Sequence, residues 1–376
     1  MKEKSYLPGT HPDLPPPTSE VGVIGWARKN LFATPADTIF TLLALYVLYS
    51  IVPGFIQWAF IDAVYVAENR EACWKMMETP GGAACWAFTS FRLNQLLYGF
   101  YPETEIWRIN LSFVLLFVAL APVLIDRVPF RKHLFIFTGL YPFVAGWLIF
   151  GWFALPPVAS QDIGGLALTL IIGITGIAFS LPIGIMLALG RTSNLPVIKI
   201  LSVLFIEFIR GVPLIALLFI ASTMLNYFMP PGTTFDLLVR VLIMVTLFAS
   251  AYMAEVIRGG IAGIPKGQIE AASAAGLSYW KTMYLIVMPQ VLKISIPGIV
   301  NTFIGLFKDT TLVLIIGMFD LLGMGKAALT NLNWAGLHRE MYLFVAVAFF
   351  FCCYGMSLYS GYLERKLDTE NKFQKK

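Results

Sequence analysis

The chain has 376 residues, 58% of them hydrophobic and 13% charged, with a net charge of +5 and a mean hydropathy of +0.74. Those proportions exclude an ordinary water-soluble surface and place the chain in a bilayer. The surplus of positive charge is a topology signal, and no nucleic-acid partner is read into it.

Residues 1–35 form a proline-rich tail, with Pro15-Pro16-Pro17, expected to be disordered or surface-lying. The tail lacks the apolar stretch of a cleavable signal, so the first apolar run is expected to remain as a membrane helix. Crossing the hydrocarbon takes about 20 mostly apolar residues. Eight segments qualify: 39–60, 107–125, 134–153, 164–189, 200–222, 237–257, 295–316 and 341–362. The fold class is therefore all-α integral membrane, with about eight transmembrane helices. With the N-terminus inside, the inner connecting segments hold 18 Lys and Arg and the outer ones 5, which sets both termini in the cytoplasm.

Residues 36–160 read as an N-terminal three-helix extension whose large outer loop carries Trp74 and Trp86, with Trp107 at the next span, suited to an interfacial belt. Cys73 and Cys85 fall together in that loop, where an oxidising compartment permits a bridge and Pro80-Gly81-Gly82 can supply the reversal; two separate thiols are the alternative. Cys352 and Cys353 lie in the last span and read as small packing residues. Residues 161–365 hold five further spans and every recognisable motif, and 366–376 form a basic cytoplasmic tail.

Charges within apolar spans require protein or water around them. Glu207 and Arg210 stand three apart on one helix and share a face, where they can neutralise one another. Lys308 and Asp309 are adjacent and point apart, so each needs its own partner. Two readings stand for these four residues: a path for zwitterionic solutes, or structural pairing that keeps helices in register. Gly211-Val212-Pro213 is expected to unwind or kink its helix.

Between the sixth and seventh spans lies a polar, alanine-rich segment: Glu270-Ala271-Ala272, then Gly276, Ile286 and Met288-Pro289. Pro265 suits a first helical turn, the alanines favour helix with little bulk, Gly276 suits a left-handed helix end, and Ser278 can cap a second helix running to Pro289. This spacing resembles the EAA loop of bacterial ABC-type importer permeases, with Met288 where that pattern has Leu. Four further motifs follow the family order of the polar amino-acid (histidine- and glutamine-like) permeases. Gly164–Leu170 with Gly190-Arg191-Thr192-Ser193 resembles their first core helix, and Ile206–Leu214 their Arg-Gly-Thr-Pro-Leu element with Val212 for Thr. Ala254–Ile261 leads into the loop as in those proteins, and Asn301–Ile304 through Lys308–Leu312 resembles their Lys-Asp-Thr-Ser-Leu element with Thr311 for Ser. The three-helix extension resembles the longer permeases of general L-amino-acid transporters.

The resemblance implies a C-terminal five-helix ABC importer type I transmembrane domain and an amino-acid importer driven by ATP. Glu270, Ala271, Ala272, Gly276, Ile286 and Pro289 would then dock a separate ATPase subunit, which binds ATP and Mg; this chain binds no cofactor. A second permease subunit, homo- or heterodimeric, an extracytoplasmic amino-acid-binding protein and membrane lipid complete the implied partners, in the bacterial inner membrane. No phosphate-binding loop is present, since Gly325-Lys326 is followed by Ala327 and lacks the upstream glycine. No catalytic constellation is found, and His11, His133 and His338 are too dispersed for a metal site. The rival readings are an ion-coupled secondary transporter or channel, a membrane enzyme, and an ABC permease for another small polar solute such as an opine.

Overall fold

The computed structural model describes residues 22–125, 128–224, 227, 230 and 235–367; the run at Pro15, His11 and most of the basic C-terminal tail lie outside them. Among the described residues there is no β-strand, and seven helices are long and apolar enough to cross a membrane, with one bent pair making an eighth. Each of the eight expected spans coincides with one of these. Two compact units divide the described residues: those up to Val66 with Ala72–Cys85, and Ala67–Glu71 with Trp86 onward.

In the first unit, α1 (Gly22–Asn30) makes helix of part of the expected tail. Val23, Ile24 and Trp26 are exposed while Arg28 and Lys29 close its last turn, the composition of a helix lying at a membrane interface. α2 (Pro35–Ile56) begins at a capping box: Thr34 Oγ1 accepts from Asp37 N, and Asp37 Oδ2 accepts from Thr34 N, each at 3.1 Å. No residue of α2 is buried, so its apolar surface suits lipid on every side. A π turn, Gln57–Ile61, prolongs it. Beyond, a disulfide joins Cys73, on α3 (Arg70–Met76), to Cys85, with their Cα atoms 6.0 Å apart. Gly82 N donates to Thr79 O at 2.9 Å, closing the reversal through Pro80-Gly81.

The second unit contains α4 (Ala87–Phe91), α5 (Leu93–Tyr98), α6 (Ile106–Leu124), α7 (Arg131–Phe150), α8 (Gly165–Thr192), α9 (Pro196–Gly211) and α10 (Leu214–Phe219). It continues with α11 (Leu237–Ala262), α12 (Lys266–Ala274), α13 (Tyr279–Thr282), α14 (Met288–Asp309), α15 (Leu321–Ala328) and α16 (His338–Leu367). Helices α8 and α11 run in the same direction and form its axis. Near their N-terminal ends, Leu168 and Ile172 share a core with Leu238, Val241 and Val245; near their C-terminal ends, Ala188 packs with Met253, Ala254 and Ile257. Gly184 sets the separation, because a Cβ there would stand 2.7 Å from Met253 Cβ. Ile109 of α6 and Ala145 and Ile149 of α7 belong to the first of these cores, so packing continues across residue 160, where the motifs begin.

Arg108, fully buried, donates to Leu148 O at 2.6 Å and Pro156 O at 2.9 Å and pairs with Glu105 at 3.4 Å. A buried cation is tolerable here because carbonyls and a carboxylate surround it. The fifth span breaks between α9 and α10 with a 103° bend, since Pro213 has no N–H and Val212 leaves the helical region. The helix expected to stop at Pro289 instead continues from Tyr279 to Ile316. Pro289 falls in the first turn of α14, directly after a π turn at Met283–Val287, where a missing N–H disrupts least.

Candidate functional site

The α12 segment joins α11 to α13 and is seated by Ile264, which packs with Ile257, Met283 and Val287. Pro265 stands one position before its expected place, as the cap of α12, its carbonyl accepting from Gln268 N at 3.0 Å. Glu270, Ala271, Ala274, Ala275 and Gly276 are exposed, and Glu270 makes no ion pair among the described residues. Ala272 departs from the expected docking surface: it is 3% exposed and closes the helix instead. Its carbonyl accepts from Leu277 N at 3.1 Å while Ser273 O accepts from Gly276 N at 3.0 Å, and Gly276 has φ +75°. That is a Schellman ending, which an L side chain at Gly276 would strain. Ser278 occupies the cap position of α13, although its hydroxyl makes no capping bond. Ile286 is half-buried and Pro289 exposed. Trp280 and Tyr284, four residues apart and 70% and 78% exposed, add an aromatic pair beside α12 that the motif spacing did not draw attention to.

At the same end of the unit, five charges from three helices converge. Arg191 of α8 donates to Glu207 of α9 at 2.7 Å and lies 2.8 Å from Glu255 of α11; the latter contact is an ion pair without hydrogen-bond alignment. Arg210 of α9 approaches Glu255 at 3.6 Å, and Arg258 donates to it through both Nε (3.0 Å) and Nη2 (2.8 Å). The expected neutralisation of Glu207 by Arg210 therefore does not occur. Each finds a partner on another helix, because α8 and α11 present Arg191 and Glu255 between them. Three guanidiniums face two carboxylates, and the two carboxylates tie α8, α9 and α11 together. All five residues lie within the motifs read from the sequence, but Arg191 and Glu255 are too distant along the chain for spacing to pair them.

Arg210 also lies over the Tyr252 ring, 5.7 Å from its centroid. Tyr252 borders a cavity of about 280 Å³ between α11 and α14, together with Phe248, Asn301, Thr302 and Asp309. Asp309 is half-buried there and Lys308 is exposed, and neither makes an ion pair among the described residues. The separate partners expected for the two are not found there, and of the pair only Asp309 lines the cavity. Of the lining residues only Asp309 was expected from the sequence; Phe248 and Tyr252 lie outside the motifs, and Asn301-Thr302 lay inside one.

Comparison with known proteins bears on this arrangement. Residues 180–369 match the family described as binding-protein-dependent transport system inner membrane component. The inner membrane amino-acid ABC transporter permease protein YhdY of Escherichia coli K12 is 45% identical over 96% of this chain and 97% of its own length. The glutamate/glutamine/aspartate/asparagine transport system permease protein BztC of Rhodobacter capsulatus is 44% identical over 95% of this chain and 96% of its own. A probable glutamine ABC transporter permease protein, GlnP, of Bacillus subtilis is 33% identical over 53% of this chain but 90% of its own length. Identity that extends along nearly the whole chain also covers the helices before the motif region, and it favours an ABC permease over an ion-coupled carrier or a membrane enzyme. The chain belongs to the inner-membrane components of binding-protein-dependent transport systems, as a multi-pass ABC permease subunit of the bacterial inner membrane.

Proposed function

We propose that this permease imports amino acids, with α12 as the element that receives force from a separate ATPase subunit. The observation that carries the reading is the exposed, small-residue surface of Glu270, Ala271, Ala274 and Gly276, held by the Schellman ending between two spanning helices. A surface with so little side-chain relief lets another protein's groove approach closely, and Glu270 offers it an unpaired charge. The names of the long relatives support amino acids as the transported class.

The two spanning helices that flank α12, α11 and the continuous helix Tyr279–Ile316 of which α14 is part, are the two that border the Asp309 cavity. Displacement of α12 is thereby transmitted along α11 over about 15 Å, the ten residues from Ala262 to Tyr252. In this cycle the ATPase pair binds ATP and Mg, closes and opens the permease outward toward a loaded binding protein; hydrolysis resets it. Nucleotide must bind the two conformations with different affinity, since equal binding shifts nothing. Asp309 offers a carboxylate to the ammonium of a passing amino acid, while the charge cluster below holds α8, α9 and α11 in register. A second permease subunit faces this one across the path.

Uptake of labelled amino acids in cells carrying Gly276→Asp or Glu270→Lys tests the coupling role. Both variants should insert at normal levels and lose uptake. Normal uptake by both would contradict docking through α12.

A further inference from the structure

A second cavity, of about 330 Å³, lies in the same unit at the far end from α12, beside the start of α8. Its walls include Arg92, Asn94, Gln95, Phe100, Tyr101 and Glu103. The volume stands at the small end of the range for small-molecule pockets, about 300–1,000 Å³. Of its two charged groups Arg92 is partly buried and Glu103 is exposed at the rim, and neither makes an ion pair among the described residues. Among the described residues Arg92 has no carboxylate partner and its Nε is buried without a hydrogen-bond acceptor, and Glu103 has no cation within ion-pair distance, although Arg92 lines the same space.

Arg92 is also held in place. Its Nη1 donates to Gln95 Oε1 at 3.2 Å, its guanidinium stands over the Phe91 ring at 5.5 Å, and Gln95 Nε2 is turned toward Met324 Sδ at 3.6 Å. Tyr101 is fixed by its hydroxyl, which donates to Ile149 O at 2.7 Å. A positioned guanidinium, a separated carboxylate and two amides around a space of this size complement an α-carboxylate and an α-ammonium on one small molecule.

We propose that this cavity is a second binding site for a free α-amino acid, with Arg92 receiving the carboxylate, Glu103 the ammonium and Gln95 orienting Arg92. The choice of ligand rests on the reading of the chain as an amino-acid permease. The cavity lies some 200 residues before Asp309 in sequence and is built from the segment preceding α8, so the two sites can be removed separately.

The test is equilibrium dialysis of the full-length chain in lipid nanodiscs against an equimolar mixture of ¹⁴C-labelled L-amino acids. Two saturable sites per chain are expected in the unaltered protein. Arg92→Gln and Glu103→Gln should each weaken one site about 10- to 100-fold, the effect of losing a hydrogen bond to a charged group, with unchanged melting temperature. The corresponding 2-oxo acids and decarboxylated amines should fail to compete there. Asp309→Asn should remove the other site only. Binding that Arg92→Gln and Glu103→Gln leave intact, including a single site lost only in Asp309→Asn, overturns the proposal while the transport path stands. A single site lost in the Arg92 and Glu103 variants but kept in Asp309→Asn supports it and contradicts the role given to Asp309. No binding at all overturns both.

Discussion

Gly276 shows how much one residue can decide. Its φ of +75° belongs to the left-handed region, which costs an L residue about 1–2 kcal/mol, yet no atom lies within 4 Å of where a Cβ would be. Gly276→Ala therefore strains the turn without a clash, whereas Gly276→Asp adds a charge to the surface proposed to meet the ATPase. The expected ranking in an uptake assay is unaltered protein, then Ala with partial activity, then Asp with none; equal activity of Ala and Asp would show that the turn, and not the surface, is what matters. This glycine was legible because helix endings are local. The partners of Glu207 and Arg210 were not: spacing on one helix puts those two on a shared face, but Arg191 and Glu255 compete for them from α8 and α11, at shorter or better-placed contacts. Pairing between helices depends on their crossing, which no short-range pattern encodes.

Among the elements, the spans were legible because about 20 consecutive apolar residues leave few alternatives in a bilayer. Irregularities within them were harder to read. The break at Val212-Pro213 announces itself through proline, but the continuation through Pro289 depends on a π turn that shifts the hydrogen-bond pattern just before it. The short helix α15 is set by the Asp320 cap, whose carboxylate accepts from Leu322 and Gly323 N, and it escaped a search for long apolar runs. The Cys73–Cys85 disulfide closes a sequence separation of 12 residues, and removing a bridge of that span should cost the first unit about 3 kcal/mol. Cys73→Ser should lower the unit's melting temperature, and reduction should shift the mobility of a fragment cleaved within the loop. Free thiols at both positions in oxidised membranes would contradict the bridge.

At the level of the whole molecule, the motifs mark residues 161–365 while the packing of the second unit begins earlier, with α5–α7 contributing to its core and residues 92–106 lining the Arg92 cavity. Motifs mark where the resemblance to a family is concentrated; apolar packing extends wherever helices touch, so the two boundaries need not coincide. The expected orientation rests on the distribution of Lys and Arg, 18 against 5, which would set α12 on the cytoplasmic side. In right-side-out vesicles, a tag at either terminus should be protected from protease and one inserted at Gly82 cleaved; the reverse pattern would invert the molecule and remove α12 from reach of a cytoplasmic ATPase subunit.

Contact between α12 and the ATPase is what the proposed coupling requires. A photocrosslinking residue placed at Ala271, in membranes from cells that express the complete transport system and accumulate amino acids, tests this directly. An adduct with the ATP-hydrolysing subunit is expected from Ala271 and none from the exposed mid-span position Phe143. Uptake that proceeds with no adduct at Ala271 would contradict the account.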